Sequence, residues 1–161
     1  MKSYIVETDA IRHNLDILVD KAGTTPLWAV LKGDGYGLGV RPMAELCREA
    51  GIRRFAVTEP AEALTIRELV PQAQILMLRP TTDQAELNVL LDLDVIATIG
   101  STEDAAALSS LAAQRGVVAE VHVKIDTGMG RYGFLPEETE KILSVYRYND
   151  HMRKIGCFLP T

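Results

Sequence analysis

The chain has 161 residues, a formal net charge of -5, 47% apolar and 24% charged residues, the balance of a soluble globular chain with room for one domain and a proper core. No lysine and arginine cluster offsets the acidic balance, which argues against a nucleic acid partner. No apolar run approaches the ~18 to 20 residues of a membrane span, and the N-terminus shows no basic, apolar, small-residue signal order.

Taken in order, Tyr4-Ile5-Val6 reads as a short extended piece. Thr8 or Asp9 then reads as the N-cap of a helix whose buried stripe is Ile11, Leu15 and Leu18, stopped by Gly23 and Pro26. Residues 27–31 form an apolar run of strand type that leads to Lys32 and to glycines at 33, 35, 37 and 39. Lys32 is read as the last residue of a buried strand, projecting into a mouth. Desolvation there lowers an ammonium's pKa, which suits an amine that attacks a carbonyl and holds it as a Schiff base. The glycines let backbone approach a ligand, and amides near the following helix start favour an anion. A plain tight turn with a snorkelling lysine is the competing reading. Lys32 precedes the glycines and no Gly-Lys-Ser/Thr follows, so this is not a Walker A loop, and Leu38 falls where a dinucleotide fingerprint needs its third glycine.

Val40, Met43, Leu46, Cys47 and Ala50 give a second helical stripe, in which Cys47 is a small core residue. Cys47 and Cys157 stand in neither metal nor redox spacing, so a reducing cytoplasm is the default. Strands are then expected at 55–57, 75–78, 95–99, 119–125 and 155–158, and helices at 61–70, 83–91, 102–115 and from Pro136 to about Tyr148. The strands are continuous apolar runs, covered on both sides, so the class is α/β with a parallel sheet. Short, regular βα units fit a barrel better than a doubly wound sheet, and in a barrel the chemistry sits at the C-terminal strand ends.

Lys32 lies at such an end, and so does a second stretch, residues 121–134, carrying Lys124, Asp126 and Arg131 among glycines. Lys124 and Asp126 share a strand face by the period of two. An arginine held there suits a carboxylate or a phenolic oxygen, and a structural salt bridge to Asp126 is the alternative. His122 reads as a packing residue, directed away from the Lys124 face in a regular strand.

Together the two stretches bring a family into view. Ala29-Val30-Leu31-Lys32-Gly33-Asp34-Gly35-Tyr36-Gly37 resembles the pyridoxal phosphate lysine motif of alanine racemases, and Lys124-Ile125-Asp126-Thr127-Gly128-Met129-Gly130-Arg131 resembles their second signature. The resemblance covers nearly the whole chain. It implies a parallel (β/α)8 TIM-barrel type fold, incomplete here at about five to six βα units, with residues 1–161 forming part of an N-terminal barrel domain. It also implies pyridoxal 5′-phosphate as cofactor, no metal, a small amino-acid substrate interconverted with its D-form, and a homodimer. Lys32 would then hold the cofactor and act as one of two bases, Tyr36 would meet its phosphate, and Arg131 would face its phenolic oxygen and the substrate carboxylate. Lys124 would correspond to a lysine often carbamylated in the family, where the added carboxylate orients that arginine.

The sequence also departs from the family pattern. Leu38 stands where the family usually has histidine, and Leu159-Pro160 stand where a Thr-His pair is expected. The last barrel strands and the C-terminal domain, with the tyrosine that acts as the opposite-face base, are expected to be missing. The isolated chain is therefore expected to be inactive without a C-terminal fragment. The alternatives are a noncatalytic pyridoxal phosphate-binding protein and a structural barrel fragment whose open edge pairs with another chain. Asn149 and Asp150 read as a turn that leaves the last strand poorly held.

Overall fold

The computed structural model describes residues 5–147 and 149–159. Among them seven helices and six strands follow one another, alternating except for two successive helices after the first strand, and the strand pairings are parallel. The chain divides into two compact units, residues 1–75 and 76–161.

The first unit opens with α1 (Thr8–Ala22), whose N-cap is Glu7 without a side-chain bond, so neither Thr8 nor Asp9 caps it. Arg12 instead bridges Asp9 at 3.2 Å and Glu49 at 3.2 Å. The extended piece expected at Tyr4 lies outside the described residues, and Ile5 and Val6 are not in a strand. β1 (Trp28–Val30) pairs in parallel with β2 (Arg54–Val57), Ala29 opposite Phe55. Between them come a tight helical turn, α2 (Lys32–Tyr36), and α3 (Val40–Glu49). α3 buries Val40, Ala44, Leu46 and Cys47, and burial pushes the Cys47 thiol up to about 11. α4 (Pro60–Leu69) starts with proline at its first turn, where a missing N–H costs nothing, and buries Ala63 and Ile66. The sheet order is β1-β2-β3, with β3 at Gln74–Met77.

In the second unit, α5 (Gln84–Asp92) and α6 (Thr102–Arg115) are each capped by a side chain on the amide three residues on: Asp83 accepts from Glu86 and Ser101 from Asp104. Gly116, in the left-handed region, ends α6. β4 (Ala97–Ile99), β5 (Ala119–Lys124) and β6 (Met152–Phe158) lie in the order β4-β5-β6. α7 spans Thr139–Arg147, so Pro136 does not open it. A turn comes first, in which the Glu138 carboxylate accepts from the Leu135 amide at 2.9 Å. Tyr148, the expected helix end, lies outside the described residues.

Two expectations about strands are corrected. β6 begins at Met152 rather than 155 and is paired with β5 over its length, with one slip in register between Val121 and His122. The turn before it is tied down by Asn149 Nδ2 donating to Val145 O at 3.2 Å and Lys154 Nζ to Asn149 O at 2.8 Å. Burial on both faces describes β4 and most of β2 and β3. β1 is only partly buried, and β6, after the buried Met152, alternates exposed and half-buried residues. Among the described residues no helix is long and apolar enough to cross a membrane.

Candidate functional site

β1 stops at Val30, and the Leu31 amide still donates to Ala56 O of β2 at 2.8 Å. The backbone then winds left-handed through Gly33, Asp34, Gly35, Tyr36 and Gly37, with φ of 62°, 52°, 61°, 56° and 83°. For an L residue that conformation costs roughly 1–2 kcal/mol, so Asp34 and Tyr36 sit there only because other bonds hold them. Gly35 N donates to Leu31 O at 2.9 Å, Gly37 N to Gly33 O at 3.0 Å, and Gly39 N to Asp34 O at 2.8 Å. Two carboxylates complete the frame. Asp34 Oδ1 accepts from Val40 N, the first residue of α3, at 2.8 Å, and Glu62 Oε1, on α4, accepts from Asp34 N at 2.9 Å.

Lys32 thus stands at the C-terminal end of β1 as expected, but it opens the turn instead of ending the strand. It is half-buried, while Leu31 is the buried neighbour. Tyr36 is 65% exposed. The amide at the start of α3 does not await an outside anion, because the Asp34 carboxylate already fills that place. Asp34 and Glu62 are the residues that sequence reasoning passed over. Their only sequence signals were an acid between two glycines and the Glu59-x-x-Glu62 spacing ahead of an apolar run.

The loop after β5 is closed differently. Asp126 N donates to Phe134 O at 2.8 Å and Phe134 N to Lys124 O at 3.0 Å, pinching residues 126–134 at their base. Gly133 is required at that pinch, since a Cβ there would lie 3.0 Å from both Asp126 N and Lys124 O at a φ of 116°. Inside the loop Asp126, 5% exposed, accepts from Gly128 N at 3.1 Å and Met129 N at 2.9 Å on Oδ1, and from Gly130 N at 2.8 Å on Oδ2. Those amides, from Gly128 first, hold its carboxyl below the usual carboxylate range against the cost of burial.

The Arg131 to Asp126 salt bridge entertained from sequence is not formed. The Asp126 oxygens are taken by backbone, and the exposed Arg131 guanidinium lies 4.9 Å over the Tyr132 ring. Among the described residues Lys124 is the buried lysine. It is 3% exposed, its Nζ has no hydrogen-bond partner, and it lies 5.6 Å from the Phe158 ring centroid. Burial lowers its pKa, nearby Arg131 adds to that, and Asp126 opposes it. His122 is not turned from the Lys124 face. Residues two apart on a strand share a face, and the His122 ring also meets Phe158, at 6.4 Å between centroids. It packs across β6 at Gly156, where a Cβ would come within 2.8 Å of Nε2.

Lys32 and Tyr36 therefore share one turn in the first unit, and Lys124 and Arg131 flank one loop in the second. In the first unit a primary amine and an exposed phenol stand on a turn whose Gly33 and Gly37 leave open space where a Cβ would be, groups that suit a phosphate-bearing aldehyde. In the second unit an orphaned buried amine and an exposed guanidinium stand at the loop after β5. A cavity of about 250 Å³ elsewhere in the first unit, lined by residues including Pro26, Leu27, Arg53 and Arg54 at the opposite strand ends, contains none of these groups. Among the described residues no group of three His, Cys, Asp or Glu could hold a metal ion.

The family model of the alanine racemase N-terminal domain matches residues 6–159. The alanine racemase of Halothermothrix orenii is 36% identical over 134 residues, and that of Beutenbergia cavernae 39% identical over 137. Each match covers 83% of this chain and 35% of the relative, so the chain spans about 35% of the length of these curated relatives. Among solved structures, alanine racemase of Clostridium difficile 630 superposes with a TM-score of 0.85 at 28% identity, over 94% of this chain and 40% of that one. The Bacillus anthracis alanine racemase with bound L-Ala-P gives 0.83 at 28% identity, over 99% and 42%. The α/β architecture with parallel strands matches the barrel domain of these enzymes, here as five βα units and a sixth strand. The chain belongs to the alanine racemase family, through the N-terminal domain of that family.

Proposed function

We propose that this chain is the pyridoxal phosphate-binding part of an alanine racemase-type isomerase, with residues 1–161 contributing to its N-terminal barrel domain. The observation that carries this reading is the left-handed turn that presents Lys32 at the end of β1, in a chain of this family. Lys32 supplies the amine that holds the cofactor's aldehyde carbon and accepts the substrate α-proton on one face. Tyr36 offers its exposed phenol to the phosphate, and Arg131 its guanidinium to the phenolic oxygen and the substrate carboxylate. Lys124 is assigned as the lysine that takes a carbamate, since its buried, unpartnered Nζ is the amine that a carbamate would satisfy. When bound, the cofactor supplies the electron sink for the carbanion, while protein groups position it and move protons.

Inversion at the α-carbon also needs a proton donor on the opposite face, and general acid-base groups contribute typically ~10² to 10⁴-fold. None of the described tyrosines is placed for it: Tyr36 is assigned to the phosphate, Tyr132 lies beneath Arg131, and Tyr146 is carried on α7. The second base is therefore assigned to a group beyond these elements, on a second copy or a C-terminal segment, in a cytoplasmic enzyme acting on alanine.

The test adds pyridoxal phosphate to the chain, reduces with borohydride and maps the label by peptide mass, then follows D-alanine from L-alanine with and without a racemase C-terminal fragment. The expected result is a label on Lys32 that is lost in Lys32→Ala, and turnover only in the supplemented mixture. Label spread over surface lysines, or unchanged in Lys32→Ala, would reject the site. A label on Lys32 without turnover in either mixture favours a noncatalytic pyridoxal phosphate carrier. Robust turnover by the chain alone would overturn the assignment of the second base.

A further inference from the structure

Among the described residues of the first unit, Glu62 is the only buried charged side chain, at 7% exposure. Its carboxylate bonds are all to backbone amides. Oε2 accepts from Thr58 N at 3.0 Å and Glu59 N at 3.1 Å, and Oε1 from Asp34 N at 2.9 Å. The Glu59 bond belongs to the capping box that starts α4. Capping does not account for the third bond, which reaches back 28 residues to the turn that carries Lys32.

Asp34 is where that bond has the most leverage. It is one of two non-glycine residues in the left-handed turn, with φ of 52°, and its own carboxylate takes the first amide of α3. Fixing the Asp34 amide therefore fixes the turn two residues after Lys32 and the start of the helix that follows. A buried carboxylate bonded to amides is costly to replace, because each abandoned donor loses its partner away from water.

We infer that Glu62 is a positioning residue for Lys32: through the Asp34 amide it holds the left-handed turn that orients the Lys32 amine toward its cofactor. This rests on the function proposed above. Glu62 touches neither cofactor nor substrate and acts only through the backbone. Glu62→Gln keeps the shape but leaves one acceptor oxygen for three amides. Glu62→Asp keeps the charge at the start of α4 and draws the carboxylate back by one methylene, away from the Asp34 amide.

Three readouts on the full chain separate positioning from mere support. Amide hydrogen exchange at residues 33–37 is expected to quicken about tenfold in both variants, with the later turns of α4 unchanged in Glu62→Asp. Borohydride-fixed labelling of Lys32 by pyridoxal phosphate is expected to slow about tenfold as well. Reductive methylation of Lys32 by formaldehyde, which is too small to need orientation, is expected to keep its rate. An unchanged ratio of the two labelling rates overturns the inference, even where exchange quickens, and so does wild-type protection of residues 33–37 in Glu62→Asp. Should Glu62→Gln fail to fold, Glu62→Asp alone decides. Wild-type chain that takes formaldehyde but no pyridoxal phosphate at Lys32 overturns the proposed function and this inference together. An unchanged ratio with normal wild-type labelling overturns this inference alone.

Discussion

After β1 the backbone makes five left-handed residues in succession and is anchored by a carboxylate from α4, whereas after β5 a nine-residue loop is pinched at its base and filled by the carboxylate of its own first residue. Both loops follow a parallel strand and carry the cationic residues assigned to chemistry. Both spend a buried carboxylate on backbone amides rather than on a cation. The difference is the range of the tie. Asp126 bonds residues two to four positions ahead, so the second loop carries its own frame, while Glu62 joins two βα units and the first turn depends on their packing. A local frame is set by the sequence of the loop; a distant one holds only while the unit is folded.

Small changes should break this contrast in graded ways. The largest effect is expected for Gly35→Ala. Gly35 is buried, at φ of 61°, and a Cβ would lie 3.3 Å from both Met43 Cγ and Val40 N. Left-handed strain plus crowding should cost about 2 to 3 kcal/mol, read as a lower denaturant midpoint with unchanged slope. The corresponding change in the second loop, Gly130→Ala, meets open space at φ of 69° and should cost about 1 kcal/mol from backbone strain alone. Equal losses at the two positions would show that the first turn is no more tightly built than the second.

The second loop should also respond to acid. The folded pKa of Asp126 is depressed by the Gly128, Met129 and Gly130 amides. The stability these bonds contribute is therefore fully present above the unfolded value of about 3.9 and is lost as pH falls through the folded value. Amide shifts of Gly128 and Gly130, followed below about pH 4, should move together in the wild type and stay flat in Asp126→Asn. A flat wild-type profile would mean that the carboxylate does not hold the loop.

The smallest effect concerns Lys124, whose buried amine should form a carbamate in bicarbonate buffer with little change in stability. Intact mass should show the addition, absent in Lys124→Arg. An unmodified wild type under those conditions would leave Lys124 as a packing residue against Phe158 and remove the anion proposed to orient Arg131.

What could be read without coordinates follows the same division by range. The βα alternation and the parallel class depend on residues close in sequence and were legible as periodicity, whereas the caps at Asp83 and Ser101 came only with the structure. The two motifs were legible because glycines beside a strand-end lysine or arginine are an unusual local pattern. His122 lies on the Lys124 face because residues two apart on a strand share a face. The Arg131 to Asp126 pairing was plausible from charge alone, but three nearer backbone donors took the carboxylate first.

By itself the amino-acid sequence determined the order of elements, the family and the loop residues proposed to carry chemistry, because spacing along the chain sets helix and strand faces and the places where only glycine fits. Tertiary structure alone decided which lysine is desolvated. Lys32 and Lys124 both follow apolar runs, yet it is Lys124 that neighbouring strands enclose, with Phe158 of β6 beside it. It also decided what holds the turn after β1. Glu62 lies 28 residues from Asp34, and only the packing of α4 against the first strands brings a buried carboxylate within 2.9 Å of that amide.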